Sequence, residues 1–273
     1  MIESVRTVAG RCRRSLERLS LRSVPPAALQ SPLLRYVDRR SLARADRLMR
    51  LGTAYGGWII PRDSDLGAQS VCYCAGAGED LSFDCELVRR FRCRVLIVDP
   101  TPRAIEHFRQ LEESTRSGVR FAINRSDCEF YEIGVGELAR LALVPVALAD
   151  HDGELKLYFP MNPAHVSCSA LNLQGTSEYF VAECCRVASL MSRMGDEKID
   201  LLKMDIEGAE YSVIGDLVGN APLPSLLLIE FDELHTPLDR HAGERVSAHI
   251  GSLVNAGMKC VAVEGSNATF ARI

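Results

Sequence analysis

The sequence predicts an α/β protein built on a mostly parallel β-sheet. Three apolar runs, at residues 70–75, 94–98 and 199–204, have the length and composition of strands buried on both faces. A glycine or an acidic residue follows each run, and a helical pattern comes next. The 273 residues suffice for one large α/β domain with an appendage, whereas two equal domains are not expected.

Composition and charge limit the function classes. No apolar run approaches the ~20 residues that a membrane-spanning helix needs. Residues 1–50 contain twelve Arg, no Lys and four acidic residues, a net charge of +8, and the remainder carries 20 basic and 32 acidic residues, a net charge of −12. Because phosphate binding needs a basic surface, this acidic body argues against nucleic acid as a partner.

The ten cysteines do not form a metal or disulfide pattern. No pair has the C-x-x-C spacing of a zinc site, and the N-terminus lacks the apolar core and cleavage site of a signal peptide. We therefore expect reduced, mostly buried thiols in a cytoplasmic protein.

The arginine-rich start predicts an N-terminal helical extension. Apolar residues at positions 5, 8, 12, 16 and 19, with arginines between them, indicate a basic amphipathic helix. Such a helix can pack on its own body, on a second subunit of a homodimer or on an acidic membrane surface. Ser31 and Pro32 have the types of an N-cap and a first helical residue, so a second helix is expected to about Arg50. The predicted domains are this extension, residues 1–54, and an α/β domain, residues 55–273.

Two glycines and the single tryptophan mark residues 55–61. The segment fits either a short strand or a flap over a substrate, because Gly56 and Gly57 suit any turn as well as a mobile cover.

The first strand enters a glycine turn. A helix with Phe83, Leu87 and Phe91 facing inward should follow, so that backbone N–H groups come close to a ligand. The next strand ends in Asp99, about twenty residues after the turn, where a carboxylate can accept from two ribose hydroxyls. A helix should start after it, beside Pro100 and Thr101. The turn comprises Gly76, Ala77, Gly78, Glu79 and Asp80.

The middle of the chain gives weaker signals. A strand is expected at residues 144–149, ending at Asp150, with a second strand at 155–159. A long loop at 160–175 has the chemistry of a functional segment, and a helix is expected at 181–194.

Acidic residues collect where the later strands end. The strand at 199–204 ends at Asp205, and Gly208 with Glu210 opens the following helix. Glu207 and Glu210 are expected there either as site residues or as partners of the helix dipole. A further strand at 226–229 leads to Glu230 and nearby polar residues. A helix at 246–256 stops at Gly257, and residues 260–263 and 269–271 can pair as a closing hairpin.

Three of these segments together resemble the FkbM-type S-adenosylmethionine-dependent methyltransferases. They are residues 76–84, residues 98–102 and residues 202–210, and the last is the most specific. The resemblance covers residues 55–273 and implies a class I methyltransferase fold: a mostly parallel, Rossmann-like seven-stranded sheet with an antiparallel C-terminal hairpin. It also implies S-adenosylmethionine as cofactor and a hydroxyl of a sugar or secondary metabolite as acceptor.

The resemblance assigns cofactor roles to individual residues. The turn Gly76, Ala77 and Gly78 would contact the methionine part. Asp99, with Pro100 and Thr101 beside it, would hold the ribose. Asp150 would contact adenine, with Asp127 as an alternative, and Asp205 would lie between the methionine part and the acceptor. The chain departs from the wider methyltransferase pattern, since Cys74 replaces an acidic residue and Asp80 replaces the third glycine. Glu79 or Asp80 would therefore bind the ammonium group of the cofactor.

The expected chemistry needs alignment of the acceptor and a base for its proton. The base candidates are Asp205, Glu230, Asp232 and His235. The same groups with Glu207 could hold a divalent cation, but no recognised ligand spacing is present, and an acidic cleft that balances the sulfonium charge is favoured. We therefore predict no metal and a small hydroxylated acceptor: a sugar, a polyketide or a glycolipid.

Two other functions fit parts of the sequence. A nicotinamide-dependent dehydrogenase would use the glycine turn and Asp99, although the missing third glycine and the acidic turn after residue 204 argue against it. A non-catalytic binding protein could keep the fold and act through the basic N-terminal helix, since fold does not fix function.

Overall fold

The computed structural model describes residues 30–123, 129–162, 167–172 and 176–272. The predicted basic helix at residues 5–19 and the adenine candidate Asp127 lie outside these residues. No helix of the described ranges is both long enough and apolar enough to span a membrane.

A seven-stranded sheet forms the centre of the fold. Six of its strands are parallel to one another, and the last strand in the chain, β12 (Asn267–Arg272), is antiparallel to both of its neighbours. The expected class I sheet with an antiparallel closing hairpin is therefore confirmed. In spatial order the strands are β11 (Met258–Glu264), β12 (Asn267–Arg272), β10 (Leu226–Glu230), β9 (Leu201–Met204), β3 (Val71–Ala75), β4 (Arg94–Val98) and β5 (Leu141–Val144).

Two apolar clusters lie on opposite faces of this sheet, because successive strand residues point to opposite sides. The helices are α1 (Ser82–Phe91), α2 (Pro102–Ser117), α3 (Val135–Leu138), α4 (Val187–Met194), α5 (Glu210–Asn220) and α6 (Ala242–Asn255). Tyr73 and Leu202 face the cluster that contains α4, α5 and α6, whereas Cys74 and Leu201 face the cluster that contains α1 and α2.

A smaller sheet lies beside the main one and corrects the prediction of a helix at 181–194. Its strands are β6 (Ala147–Leu148), β8 (Tyr179–Cys185) and β7 (Gly153–Tyr158). Residues 179–185 form a strand because their burial alternates and they pair with β7, and the helix begins only at Val187.

The strand predicted at 144–149 is also wrong as a single element. The main-sheet strand β5 ends at Val144, and the chain passes through Pro145, which cannot donate to a ladder, before β6 starts in the smaller sheet. Asp150 consequently follows a strand of the smaller sheet and does not end the third strand of the main one.

The helix predicted from Ser31 to Arg50 is wrong beyond its first turn. The Ser31 hydroxyl accepts from Leu33 N as the capping pattern predicts, but the resulting 3-10 turn, Pro32–Arg35, stops after four residues. Two more 3-10 turns, Arg39–Ser41 and Ala45–Arg47, lead into β1 (Leu48–Leu51), which pairs with β2 (Trp58–Pro61). Burial of this hairpin against the α1 and α2 face overrides helix propensity. The predicted domain boundary falls in its turn.

All eight cysteines in the described ranges are free thiols, and seven of them are buried. Their state agrees with the expectation of reduced thiols that pack as small apolar side chains.

Gly76 is required where β3 meets the end of β9. Its φ of +76° lies in the left-handed region, and a Cβ on this residue would lie 1.7 Å from the backbone oxygen of Asp205. We predict that Gly76→Ala lowers the free energy of unfolding by at least ~2 kcal/mol, because backbone strain adds to the clash. Urea unfolding would measure it.

Gly219→Ala is the matched control. Gly219 lies in α5 and a Cβ added there would point into open space, so alanine should leave the unfolding free energy unchanged or raise it by up to about 1 kcal/mol. Equal effects of the two substitutions would contradict the close approach at Gly76.

Candidate active site

A cavity of about 440 Å³ opens where β3, β4, β9 and β10 end. This is the edge at which open α/β sheets bind ligands. The residues that line it include nearly all of the predicted site residues, namely Gly76, Ala77, Gly78, Glu79, Asp80, Asp99, Pro100, Thr101, Asp205, Glu207, Glu230 and His235. The sheet thus brings together side chains that are up to about 160 positions apart in the chain.

Asp99 fastens the glycine turn to the start of α2. Its Oδ2 accepts from the N–H groups of Ala77, at 2.8 Å, and Gly78, at 3.2 Å. Its Oδ1 accepts from Thr101 N at 2.8 Å and from the Thr101 hydroxyl at 2.6 Å. The carboxylate is only 4% exposed, so its first role is to set the shape of the turn.

The two candidates for the cofactor ammonium both line the cavity and both have protein partners. Glu79 accepts two hydrogen bonds from Arg103, at 2.9 Å each. Asp80 accepts from the Thr53 hydroxyl at 2.7 Å and from Ser82 N at 2.9 Å. Asp80 therefore links the β1–β2 hairpin to the start of α1.

Lys203 is a buried cation beneath the cavity. Its ammonium donates to the Gly76 carbonyl, lies 3.4 Å from Asp205 Oδ2 and lies 5.7 Å from the centre of the Trp58 ring. Burial opposes the charged form, but the carboxylates of Asp205 and Asp84 outweigh it, so the pKa of Lys203 lies above its usual value. Lys203 thereby joins the glycine turn to the end of β9.

Glu230 lies beside Asp205 at the end of β10. Burial, followed by the charge of Asp205, raises the pKa of Glu230 to about 8. A carboxyl group with a pKa near neutrality can accept a proton at working pH and release it again. Of the four base candidates, Glu230 is the one whose surroundings tune it to this task.

Glu210 and Asp232 form a buried pair behind the cavity wall. Glu210 accepts from Ile206 N and from Gly208 N, both at 2.9 Å, so it shapes the turn that carries Asp205. Burial and the neighbouring Glu210 raise the pKa of Asp232 to about 11. Asp232 therefore carries a proton at neutral pH, which removes it from the base candidates.

Glu207 lies in the cavity with a left-handed backbone, at φ +51°. The Ser169 hydroxyl, at 2.6 Å, and Ala170 N, at 3.1 Å, both donate to its carbonyl oxygen. Burial raises the pKa of its carboxyl group. The described part of the predicted functional loop thus holds a strained residue at the site.

Asp150 lies outside the cavity. Its carboxylate is about half exposed and its Oδ1 lies 2.8 Å from His151 Nδ1. The part of the cavity next to the smaller sheet is lined instead by Ala147, Leu148, Leu155 and Leu157. The adenine contact was assigned to Asp150 as the residue that ends the third strand of the main sheet, and Asp150 does not have that position.

Several residues of the site are absent from the sequence prediction. Lys203 is a charged residue inside an otherwise apolar strand, and this unusual position could have identified it as a site residue from the sequence. Arg50, Glu264 and Ser266 reach the cavity from the hairpin and from the closing turn, and only the fold brings them there. In the described ranges, no group of three His, Cys, Asp or Glu side chains is arranged to hold a metal ion.

Comparison with known proteins places the chain in a family. A family model described as the methyltransferase FkbM domain matches residues 65–249. No curated protein matches the chain significantly. Among solved structures, it is similar to Aeropyrum pernix fibrillarin in complex with natively bound S-adenosyl-L-methionine, at 10% identity and a TM-score of 0.39, over 76% of this chain and 67% of that chain. Since the family model spans more than half of its length, the chain belongs to the FkbM family of methyltransferases, and its cofactor is S-adenosylmethionine.

Proposed function

We propose that the protein transfers a methyl group from S-adenosylmethionine to a hydroxyl oxygen of an uncharged sugar or secondary metabolite. The observation that carries this proposal is the Glu230 carboxyl group, which lines the cavity beside Asp205 and has a pKa of about 8. An acceptor hydroxyl is a weak nucleophile. A base that takes its proton as attack proceeds makes the oxygen more nucleophilic.

The residues of the cavity fit the cofactor. Seven carboxylates line it, Glu79, Asp80, Asp99, Asp205, Glu207, Glu230 and Glu264, against two permanent cations, Arg50 and Lys203. This excess of negative charge is complementary to a sulfonium and an ammonium group. The glycine turn, Asp99 and Asp205 would hold the cofactor, which when bound supplies a methyl group already activated for transfer.

The protein's own side chains position the cofactor and take the proton of the acceptor. Lys203 fixes the glycine turn relative to Asp205, so the two sides of the cofactor site keep one geometry. Glu230 takes the hydroxyl proton. Asp205, with Lys203 at 3.4 Å, remains the negative charge next to that step.

The same charges favour one class of acceptor. A phosphorylated acceptor would meet Glu207 and Glu230 at the cavity wall, and Arg50 is already engaged by Glu264 and by the carbonyls of Thr53 and Gly57. Uncharged hydroxyl groups, by contrast, can donate to carboxylates. We therefore favour a sugar or a polyketide over a glycolipid with a phosphate near the reacting hydroxyl.

The cofactor charge should couple to the Glu230 proton. A cation near Glu230 favours its ionised form, so binding S-adenosylmethionine below pH 8 requires loss of a proton, whereas the neutral sulfide of S-adenosylhomocysteine does not. We predict that the ratio of the two affinities rises with pH, by up to about tenfold per pH unit, and levels off above pH 8. Calorimetry between pH 6 and 9 would measure it. Glu230→Gln should abolish the pH dependence of this affinity ratio. Glu244→Gln, a substitution at an exposed control position, should leave the pH dependence unchanged. An affinity ratio that does not change with pH in the wild-type protein would refute the coupling.

Asp99→Asn tests the glycine turn. The amide would turn donors toward N–H groups that now donate to the carboxylate, so we expect a loss of about 1–3 kcal/mol in unfolding free energy. Affinity for the cofactor and for its product should fall together, because both use this turn. Thermal unfolding and calorimetry measure the two effects. Asp63→Asn, in an exposed ion pair with Arg47, is the control, and unchanged cofactor affinity in Asp99→Asn would count against the assigned site.

Methyl transfer is the decisive measurement. We expect labelled methyl groups from the cofactor to reach methyl glycosides or hydroxylated polyketides, and Glu230→Gln to lower kcat by about 10²–10⁴-fold with the affinity for the neutral product S-adenosylhomocysteine retained. Binding of NAD in place of S-adenosylmethionine would favour the dehydrogenase alternative. Cofactor binding without transfer to any hydroxyl would favour the non-catalytic one.

A further inference from the structure

Ser266 stands between Glu230 and His235. Its hydroxyl donates to Glu230 Oε1 at 2.8 Å, and His235 Nε2 lies 2.7 Å from the same hydroxyl oxygen. All three residues line the cavity, and Ser266 is only 3% exposed. A buried hydroxyl that contacts two titratable groups at these distances forms a continuous hydrogen-bonded chain.

The backbone holds this hydroxyl in place. Ser266 belongs to the turn between β11 and β12, and its carbonyl oxygen accepts from Phe231 N at 3.0 Å, the residue directly after Glu230. The Ser31 hydroxyl donates to the carbonyl of the preceding Gly265 at 2.6 Å. The closing turn is therefore fastened on one side to the end of β10 and on the other to the 3-10 turn that starts at Pro32.

The two ends of this chain of groups differ in their exposure to solvent. The Glu230 side chain is 24% exposed and the His235 side chain is 61% exposed. Bound cofactor and acceptor would cover the side of Glu230 that faces the cavity, whereas most of the His235 side chain is exposed. A proton taken by Glu230 consequently has an outward route through Ser266.

Resting on the proposed function, we propose that Ser266 and His235 form the path by which the proton taken by Glu230 leaves the site. In this path the Glu230 carboxylic acid gives its proton to Ser266 Oγ. The hydrogen of Ser266 passes to Nε2 of the His235 tautomer that is protonated at Nδ1, and the Nδ1 proton goes to water. Glu230 is again a carboxylate, Ser266 is again a hydroxyl and His235 is neutral, so one proton has moved to solvent. The exposed ring returns to its starting tautomer through water.

Other charges surround the path and define what the variants change. The hydrogen bond from Ser266 lowers the pKa of Glu230, against burial and neighbouring carboxylates that raise it. Removal of the hydroxyl should therefore raise that pKa further. The titratable groups that face Glu230 are Tyr55, Asp205, Glu207, Asp232 and His235.

Nuclear magnetic resonance tests the link without an acceptor. In the full-length protein with 13C-labelled glutamate and 15N-labelled histidine, we expect the His235 ring signals to respond at the midpoint of the Glu230 titration. Ser266→Ala should remove that response and move the Glu230 midpoint to higher pH. Ser189→Ala, on α4 and distant from the cavity, should change neither. A His235 ring that ignores the Glu230 titration in the wild-type protein would overturn the proposal.

Kinetics test whether catalysis uses the path. Ser266→Ala and His235→Gln should each lower kcat, on the order of tenfold, with KM for the acceptor unchanged and, in Ser266→Ala, with the rising limb of the pH profile shifted upward. The double variant should be no slower than either single one, because both interrupt one path. A double variant whose loss of kcat equals the product of the two single losses would overturn the proposal. An inactive wild-type protein would refute the proposed function, and the magnetic resonance experiment would then decide whether Glu230 and His235 are connected through Ser266.

Discussion

The geometry of the site depends on one buried charge, the ammonium of Lys203. It bonds to the Gly76 carbonyl and lies beside Asp205, so the turn after β3 and the end of β9 are tied through a single side chain. An ammonium in this low-dielectric position needs anionic neighbours, which Asp205 and Asp84 supply. Asp84 also lies within hydrogen-bonding reach of Cys74, the residue that replaces the acid of the wider methyltransferase pattern.

Around this cation, carboxyl groups outnumber positively charged side chains, and burial decides which of the carboxyl groups ionise. Asp232, Glu230 and Glu210 have pKa values of about 11, 8 and 7, because burial and the neighbouring charges of the cluster oppose ionisation of each. The cluster therefore holds protons at neutral pH and can release them to solvent when a cation binds beside it. This property connects the charge of the cofactor with the base that the proposed reaction needs.

Where the sequence-based predictions failed, tertiary contacts overrode a local pattern. The capping signal at Ser31 formed its turn, but the following residues entered the β1–β2 hairpin because Leu48, Met49 and Leu51 are buried there. Residues 179–185 have few helix breakers, yet they pair with β7. Asp150 was expected at the main sheet because Pro145 indicates a break in the strand but does not show that the chain enters a second sheet after Val144.

The main sheet, the glycine turn and the acidic strand ends could be predicted from the amino-acid sequence alone. These follow from short-range patterns, namely apolar runs that must be buried and glycines or acids at their ends, which act within a few residues. The hydrogen-bond partners follow from the folded structure: Asp99 binds the glycine turn, Lys203 lies under that turn, and Ser266 lies between Glu230 and His235. Hydrogen bonds and pKa shifts depend on distances between residues remote in the chain, and local pattern carries no information about those distances.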